Sequence, residues 1–170
     1  MSALLALLGG YAFHAISTTG AVVENTFDRP LMAINYARSA GQTFTQMELD
    51  LVNGADRESL SETFETFQSD LSVAKNRSIS ERAAPFFEDV EKLTARWARM
   101  AMADQNALTE AESQQQAALA SEIEDNLDII VELQTNESFR NRETALEGVG
   151  KVESYALWAT GLALALSVLL

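Results

Sequence analysis

Cysteine is absent, which removes disulfides, thiolate metal sites and a cysteine nucleophile from consideration. Histidine is almost absent. The single one, His14, sits in an apolar stretch, so no Ser/His/Asp set and no His-Glu-x-x-His zinc motif can be assembled. A haem or metal role for His14 would need a second ligand, such as a symmetry mate in a homodimer. A packing or interfacial histidine is the favoured reading, because ionising it in lipid is costly. No glycine-rich phosphate loop exists. Paired acids such as Glu88-Asp89, or Glu122 with Glu124-Asp125, fall on polar helical faces and arise by chance among 25 acidic residues. Gln114-Gln115-Gln116 is a polar helical patch too short to be a low-complexity tract. No catalytic residue, metal site or cofactor is predicted, and an enzyme is not expected. Basic residues are scarce as well: 12 Lys and Arg face 25 Asp and Glu, for a net charge of −13. Nucleic acid is excluded as a partner, since phosphate binding needs basic stripes that release counterions. With 2 prolines and 8 glycines in 170 residues, little interrupts helices.

The charges that are present are unevenly placed. All of them fall between Glu24 and Glu153. As a helix, the uncharged segment 1–23 would span ~34 Å, enough for a bilayer core of ~30 Å. A cleaved signal peptide would need a basic n-region, and none precedes Leu4. The segment 154–170 would span ~25 Å, slightly short of a full crossing. Tyr155 and Trp158 lie at its start, where amphipathic rings favour the interface. Both segments read as transmembrane helices, the second truncated, and the chain as one part of a longer protein. Without basic flanks the positive-inside rule gives no orientation. The acidic middle is a poor match for the anionic cytoplasmic leaflet.

That middle, 24–153, shows no strand alternation but an apolar repeat at steps of four and three. Leu60, Phe64, Phe67, Leu71 and Ala74 follow it, as do Phe86, Val90, Leu93, Trp97 and Met100. A later run has Leu119, Ile123, Ile130 and Leu133, with Asn126 between. The first run is looser: Leu31, Ile34, Ala37, Gly41, Phe44 and Leu51. Each repeat keeps a narrow apolar stripe aimed at a neighbouring helix. Phe86, Phe87 and Trp97 are expected in the core, and Asn35 and Asn126 as core polar residues that fix register. Asn53-Gly54-Ala55-Asp56 is a turn with a glycine C-cap, after which Glu58-Ser59 opens the second helix. Arg77-Ser78-Ile79-Ser80-Glu81 is the next break, with Ser80 as cap of the third helix and Pro85 in its first turns. Thr109 is the candidate cap of the fourth.

Short links imply antiparallel neighbours, so the predicted fold is all-α: an up-down-up-down antiparallel four-helix bundle over 24–153, flanked by the two membrane helices. The fourth leg is too long for its partners. Thr135-Asn136-Glu137-Ser138 offers capping residues there, which predicts a break and a separate helix from about Phe139, weakened by Gly148 and Gly150.

Several stretches resemble a known family. Thr26-Phe27-Asp28-Arg29-Pro30-Leu31-Met32-Ala33-Ile34-Asn35-Tyr36-Ala37-Arg38 is similar to the first-helix signature of the four-helix-bundle sensory modules of bacterial receptors. Asp70-Leu71-Ser72-Val73-Ala74 with Arg77-Ser78, and Val131-Glu132-Leu133 with Phe139-Arg140, resemble it too. Such modules occur in methyl-accepting chemotaxis proteins, histidine kinases and membrane-bound cyclases. The resemblance implies a periplasmic bundle between two helices of the bacterial inner membrane, forming a homodimer. It also implies a cytoplasmic output domain, often after a HAMP linker.

In that topology the turn at Gly54 is membrane-distal and the turn at 77–82 membrane-proximal. Lys75, Arg77 and Arg82 cluster there as candidate contacts to anionic headgroups; a solvated basic turn is the rival reading. Arg38 stands 14 residues beyond Glu24 and Arg96 15 beyond Glu81, so both are expected at one level, roughly 21 Å up. Arg99 is a turn above Arg96, beside Trp97. Arg38, Arg96, Arg99 and Trp97 are the candidate ligand-binding residues, since paired guanidinium groups can clamp a carboxylate bidentately. Against this, each Arg can pair with a surface Glu or lie along its own helix. The expected function is a receptor input module that binds a small molecule or a periplasmic protein and transmits by helix displacement. A purely structural, membrane-anchored dimerisation module is the alternative. A bundle enzyme or cofactor carrier is a further rival.

Overall fold

The structure, a computed structural model, describes residues 28–103 and 108–169, with side chains described as far as residue 145. Four α-helices carry these residues: α1 (Arg29–Val52), α2 (Arg57–Arg77), α3 (Ala84–Ala101) and α4 (Glu110–Leu169). Among the described residues there is no strand. Residues 28–137 form one compact unit and 138–169 belong to a second.

Local chemistry explains the helix ends. Gly54, at φ +74°, takes the left-handed conformation that stops α1. The turn closes with Asn53 N–H donating to Leu49 O at 2.9 Å and Ala55 N–H to Asp50 O at 2.8 Å. Asp56 then caps α2, its Oδ1 accepting Ser59 N–H at 2.8 Å, so α2 opens at Arg57, one residue before the expected Glu58-Ser59. Pro30 and Pro85 occupy the first turns of α1 and α3, where a missing N–H costs nothing. Thr109 and Glu112 form a reciprocal capping box. Glu112 N–H reaches Thr109 Oγ1 at 3.3 Å, and Thr109 N–H and Oγ1–H both donate to Glu112 Oε2 at 2.8 Å. Those two donors, the backbone N–H first, hold the Glu112 carboxyl below its usual range.

The third cap differs from expectation. Ser80 precedes a 3-10 turn (Glu81–Ala83) but makes no capping hydrogen bond, and its hydroxyl is buried without a partner. The expected break at 135–138 is absent: α4 runs through it. Thr135 bonds back to Val131 O at 2.7 Å instead of capping a new helix.

Helix register follows from cross-helix pairs. Ser39 Oγ donates to Asp70 Oδ2 at 2.6 Å, and Phe44, five residues further along α1, meets Phe67, three residues earlier in α2. The two helices are therefore antiparallel. All four helices feed one core, whose largest buried side chains include Trp97, Phe44, Phe67, Phe87 and Met47. Burying each such side chain contributes about 1.5–3 kcal/mol. Phe44 links the halves, packing edge-on to Trp97 at 5.0 Å and tilted to Phe67 at 6.0 Å.

α1 departs from the expected stripe. It buries Ala33, Ile34, Ala37, Ala40, Phe44 and Met47. Leu31 is 54% exposed, Asn35 is exposed and Gly41 is only half-buried. Alanines on the inner face let backbones approach, so the larger Leu31 is left outside. Asn126 is half-buried, and Leu127 takes the core position beside it. Phe86 is likewise half-buried while Phe87 is in the core.

Among the described residues no helix is long and apolar enough to cross a membrane. The expected span 1–23, with His14, lies outside the described residues. Residues 154–169 continue α4 as helix, and their side chains also lie outside the described set.

Candidate functional site

Two grooves run along α4 within the unit 28–137. The first lies between α3 and α4 and encloses about 640 Å³; Lys92, Arg96 and Arg99 line it with Leu93, Asp89 and Glu122. Steps of four and three put the three cations on one face of α3. Lys92 lies 3.6 Å from Asp89. Arg96 and Arg99 are exposed and make no ion pair among the described residues, although acids outnumber bases twofold.

The second groove lies between α1 and α4 and encloses about 590 Å³, with Arg38, Gly41, Gln42, Glu124, Asp128 and Val131 in its walls. Arg38 is exposed and also without an ion pair among the described residues. Arg38 and Arg96 thus line different grooves, where equal height along parallel helices had suggested one. Height does not fix azimuth: the 3.6-residue turn decides which neighbour a side chain faces. Trp97 is 1% exposed and packs on Phe44, so it belongs to the core and not to the wall beside Arg96. A cradle on α1 is open at Gly41, where an added Cβ would meet nothing within 4 Å.

Next to the second groove, Glu48 of α1 faces Glu124 of α4. Burial pushes the Glu48 carboxyl above its usual range, and the charge and hydrogen bond of Glu124 add to that.

The basic cluster at the α2–α3 link is also divided. Lys75 Nζ sits 3.0 Å from both carboxylate oxygens of Glu91. Arg77 and Arg82 are exposed and have no ion pair among the described residues.

Three polar residues had no signal in the apolar repeat. Lys92 precedes Arg96 by one helical turn, a spacing that could have exposed it. Gln134 is fully buried, accepting Ile79 N–H at 3.2 Å and donating to Ser78 Oγ. Gln116, from the run read as a surface patch, is 8% exposed with its Nε2 unpartnered. Among the described residues no three His, Cys, Asp or Glu side chains converge on a metal-sized site.

Comparison with protein-family models, with curated proteins and with solved structures finds no match to this chain.

Proposed function

We propose that the chain is the sensory input module of a bacterial transmembrane receptor, with its bundle in the periplasm and membrane helices at 1–23 and 154–170. The observation that supports this reading is the pair Arg96 and Arg99, without an ion pair among the described residues, on a groove of about 640 Å³ in a chain of net charge −13. Two guanidinium groups a helical turn apart suit a small organic acid, which they can grip bidentately. The ligand would bridge α3 and α4, and α4 continues to Leu169 as one helix. A shift of α4 by ~1–2 Å is enough to switch a packed-helix system and reach a cytoplasmic output domain. Arg77 and Arg82 supply headgroup contacts at the membrane-proximal link, with Lys75 held by Glu91.

The functional unit in this reading is a homodimer joined through α1. Five of the six large hydrophobics exposed in the described residues are on α1: Leu31, Met32, Tyr36, Leu49 and Val52. No acid occurs between Pro30 and Met47. Two acidic chains repel least where they approach over such a face. The same face favours the second reading, a structural dimerisation module, because pairing needs no ligand.

Thermal shift of the detergent-solubilised chain against organic acids separates the two. A ligand that binds only the folded state raises the midpoint. The receptor reading expects a hit that disappears in Arg96→Ala/Arg99→Ala; the absence of any hit supports the structural one.

A further inference from the structure

Of the eight asparagines in the chain, only Asn53 is followed by glycine. The two residues form the exposed turn that leaves α1. Asn53 is the C-cap of that helix, at φ −79° and ψ −1°. Its side-chain amide makes no hydrogen bond among the described residues. Gly54 N–H donates to Leu51 O at 3.2 Å, the long end of the range for such bonds. Beyond its chain neighbours, no atom lies within 4 Å of where a Gly54 Cβ would stand, so the turn is open on that side.

An asparagine amide is inert until a nucleophile reaches its Cγ. The backbone nitrogen of the next residue is the nearest one along the chain, and its attack closes a five-membered ring. A side chain on that residue obstructs the approach, and glycine has none. In the resting turn the ring is not closed, because ψ near 0° holds Gly54 N away from Cγ. Rotation about the Asn53 Cα–C bond brings the two atoms together. That rotation breaks the Gly54 bond to Leu51 O and the 2.8 Å bond from Ala55 N–H to Asp50 O. Both bonds lie in an exposed turn at a helix end, the kind of segment that opens locally while the core stays folded.

We propose that Asn53 is a site of spontaneous deamidation in the folded protein. Gly54 N gives its proton to solvent base and attacks Asn53 Cγ. The N–Cγ bond forms, the Cγ–Nδ2 bond breaks, and the leaving nitrogen takes a proton from solvent and departs as ammonia. Water then opens the succinimide at either of its carbonyls. Attack at one gives aspartate at position 53, and attack at the other gives isoaspartate. Both products place a negative charge at the C-terminal end of α1, where the helix dipole disfavours an anion and Asp50 and Asp56 are close in sequence. Isoaspartate also adds a methylene to the main chain, so the turn cannot restore all of its hydrogen bonds. The change therefore loosens the junction between α1 and α2. It does not depend on the receptor reading or on Arg96 and Arg99.

The test is incubation of the full chain in dodecyl maltoside at mildly alkaline pH and physiological temperature, folded and, in parallel, unfolded in urea. The tryptic peptide 39–57, which carries the turn, is followed by chromatography and mass spectrometry. In the folded chain it should convert to two isomers of equal mass, heavier than the parent by the exchange of NH for O, with fragment ions placing the change at position 53. Asn76, Asn126 and Asn136 should keep their amides over the same period. Asn53→Gln should hold the parent mass, because its longer side chain would have to close a six-membered ring. The peptide from freshly prepared Asn53→Asp should coelute with one of the two isomers, and that variant should melt below the parent. No conversion at Asn53 in the folded chain, whatever happens in urea, overturns the proposal, since the turn is then held shut. Conversion of the other asparagines as fast as Asn53 overturns it as well. A single aspartyl product overturns the ring mechanism, and an unchanged midpoint in Asn53→Asp overturns the loosening of the junction.

Discussion

Gln134 of α4 reaches the α2–α3 link and accepts the backbone N–H of Ile79 at 3.2 Å, across 55 residues of sequence. Its Nε2 donates to Ser78 Oγ, and that hydroxyl donates on to Ser80 O. A fully buried amide therefore fixes the height of α4 against the turn between two other helices. Gln134→Leu keeps the volume but removes the acceptor of the part-buried Ile79 N–H and the donor to Ser78 Oγ. The expected cost is about 1–3 kcal/mol, read from urea unfolding. A loss under ~0.5 kcal/mol would mean that water replaces the amide at no penalty.

The aromatic junction should be the largest single contributor to the core. Phe44 touches both Phe67 and Trp97, and all three are at most 1% exposed. Phe44→Ala is expected to cost about 3–5 kcal/mol. Leu31→Ala, at a position 54% exposed, should change stability by less than ~0.5 kcal/mol. Equal losses at the two positions would show that α1 is turned differently.

Glu48 makes stability depend on pH with a definite sign. Its carboxyl is raised in the fold by burial, then by Glu124. At low pH the group is protonated in both folded and unfolded chains and carries no penalty. As pH rises through the ordinary carboxylate range, the unfolded chain ionises first, so the fold loses stability until Glu48 also ionises. Above that point the penalty is constant. Glu48→Gln should therefore stabilise the protein near pH ~7, by about 0.5 kcal/mol given the partial exposure, with no gain near pH ~3. Glu112, lowered by Thr109, acts with the opposite sign: its stabilisation is present above the usual carboxylate range and fades as pH falls.

The proposed homodimer makes a prediction about the exposed face of α1. Leu31, Asn35, Arg38, Gln42, Thr45, Leu49 and Val52 recur at steps of four and three, and all are exposed. If two copies pair through it as proposed, Leu49→Lys with Val52→Lys should give a monomer in sedimentation velocity while leaving the helical circular dichroism intact. Single cysteines at Gln42 or Thr45 should form disulfides between copies. A variant that sediments like the parent, with no disulfide at either position, would place the contact elsewhere.

Much of this was legible in residue spacing. The apolar stripes of α2 and α3 were largely legible in their four-three steps, with Leu60, Phe67, Leu71, Val90, Leu93 and Trp97 all buried but Phe64, Phe86 and Met100 only half-buried. Gly54 and Thr109 were legible because turn and cap chemistry is local. On α1 the rule held only in part: Ile34, Ala37 and Phe44 are buried as expected, while Leu31, Gly41 and Leu51 are not. Its inner face is built from Ala33, Ala37 and Ala40, whose small size matters only once a neighbour approaches closely. The candidate site was half legible: Arg96 and Arg99 do share a groove, while Arg38 and Trp97 went elsewhere because height along a helix says nothing of direction around it.

Composition and spacing alone determined that this is an acidic chain, helical throughout its described residues outside the turns, since periodicity and capping act within a few residues; helix lengths were not fixed that way, as α4 runs through the expected break. Azimuth and burial were decided only by packing. That is why Gln134 and Ser80, ordinary polar residues in the linear chain, end up enclosed, and why on α1 Leu31 and Leu49 lie outside while Ala33, Ala37 and Ala40 lie within.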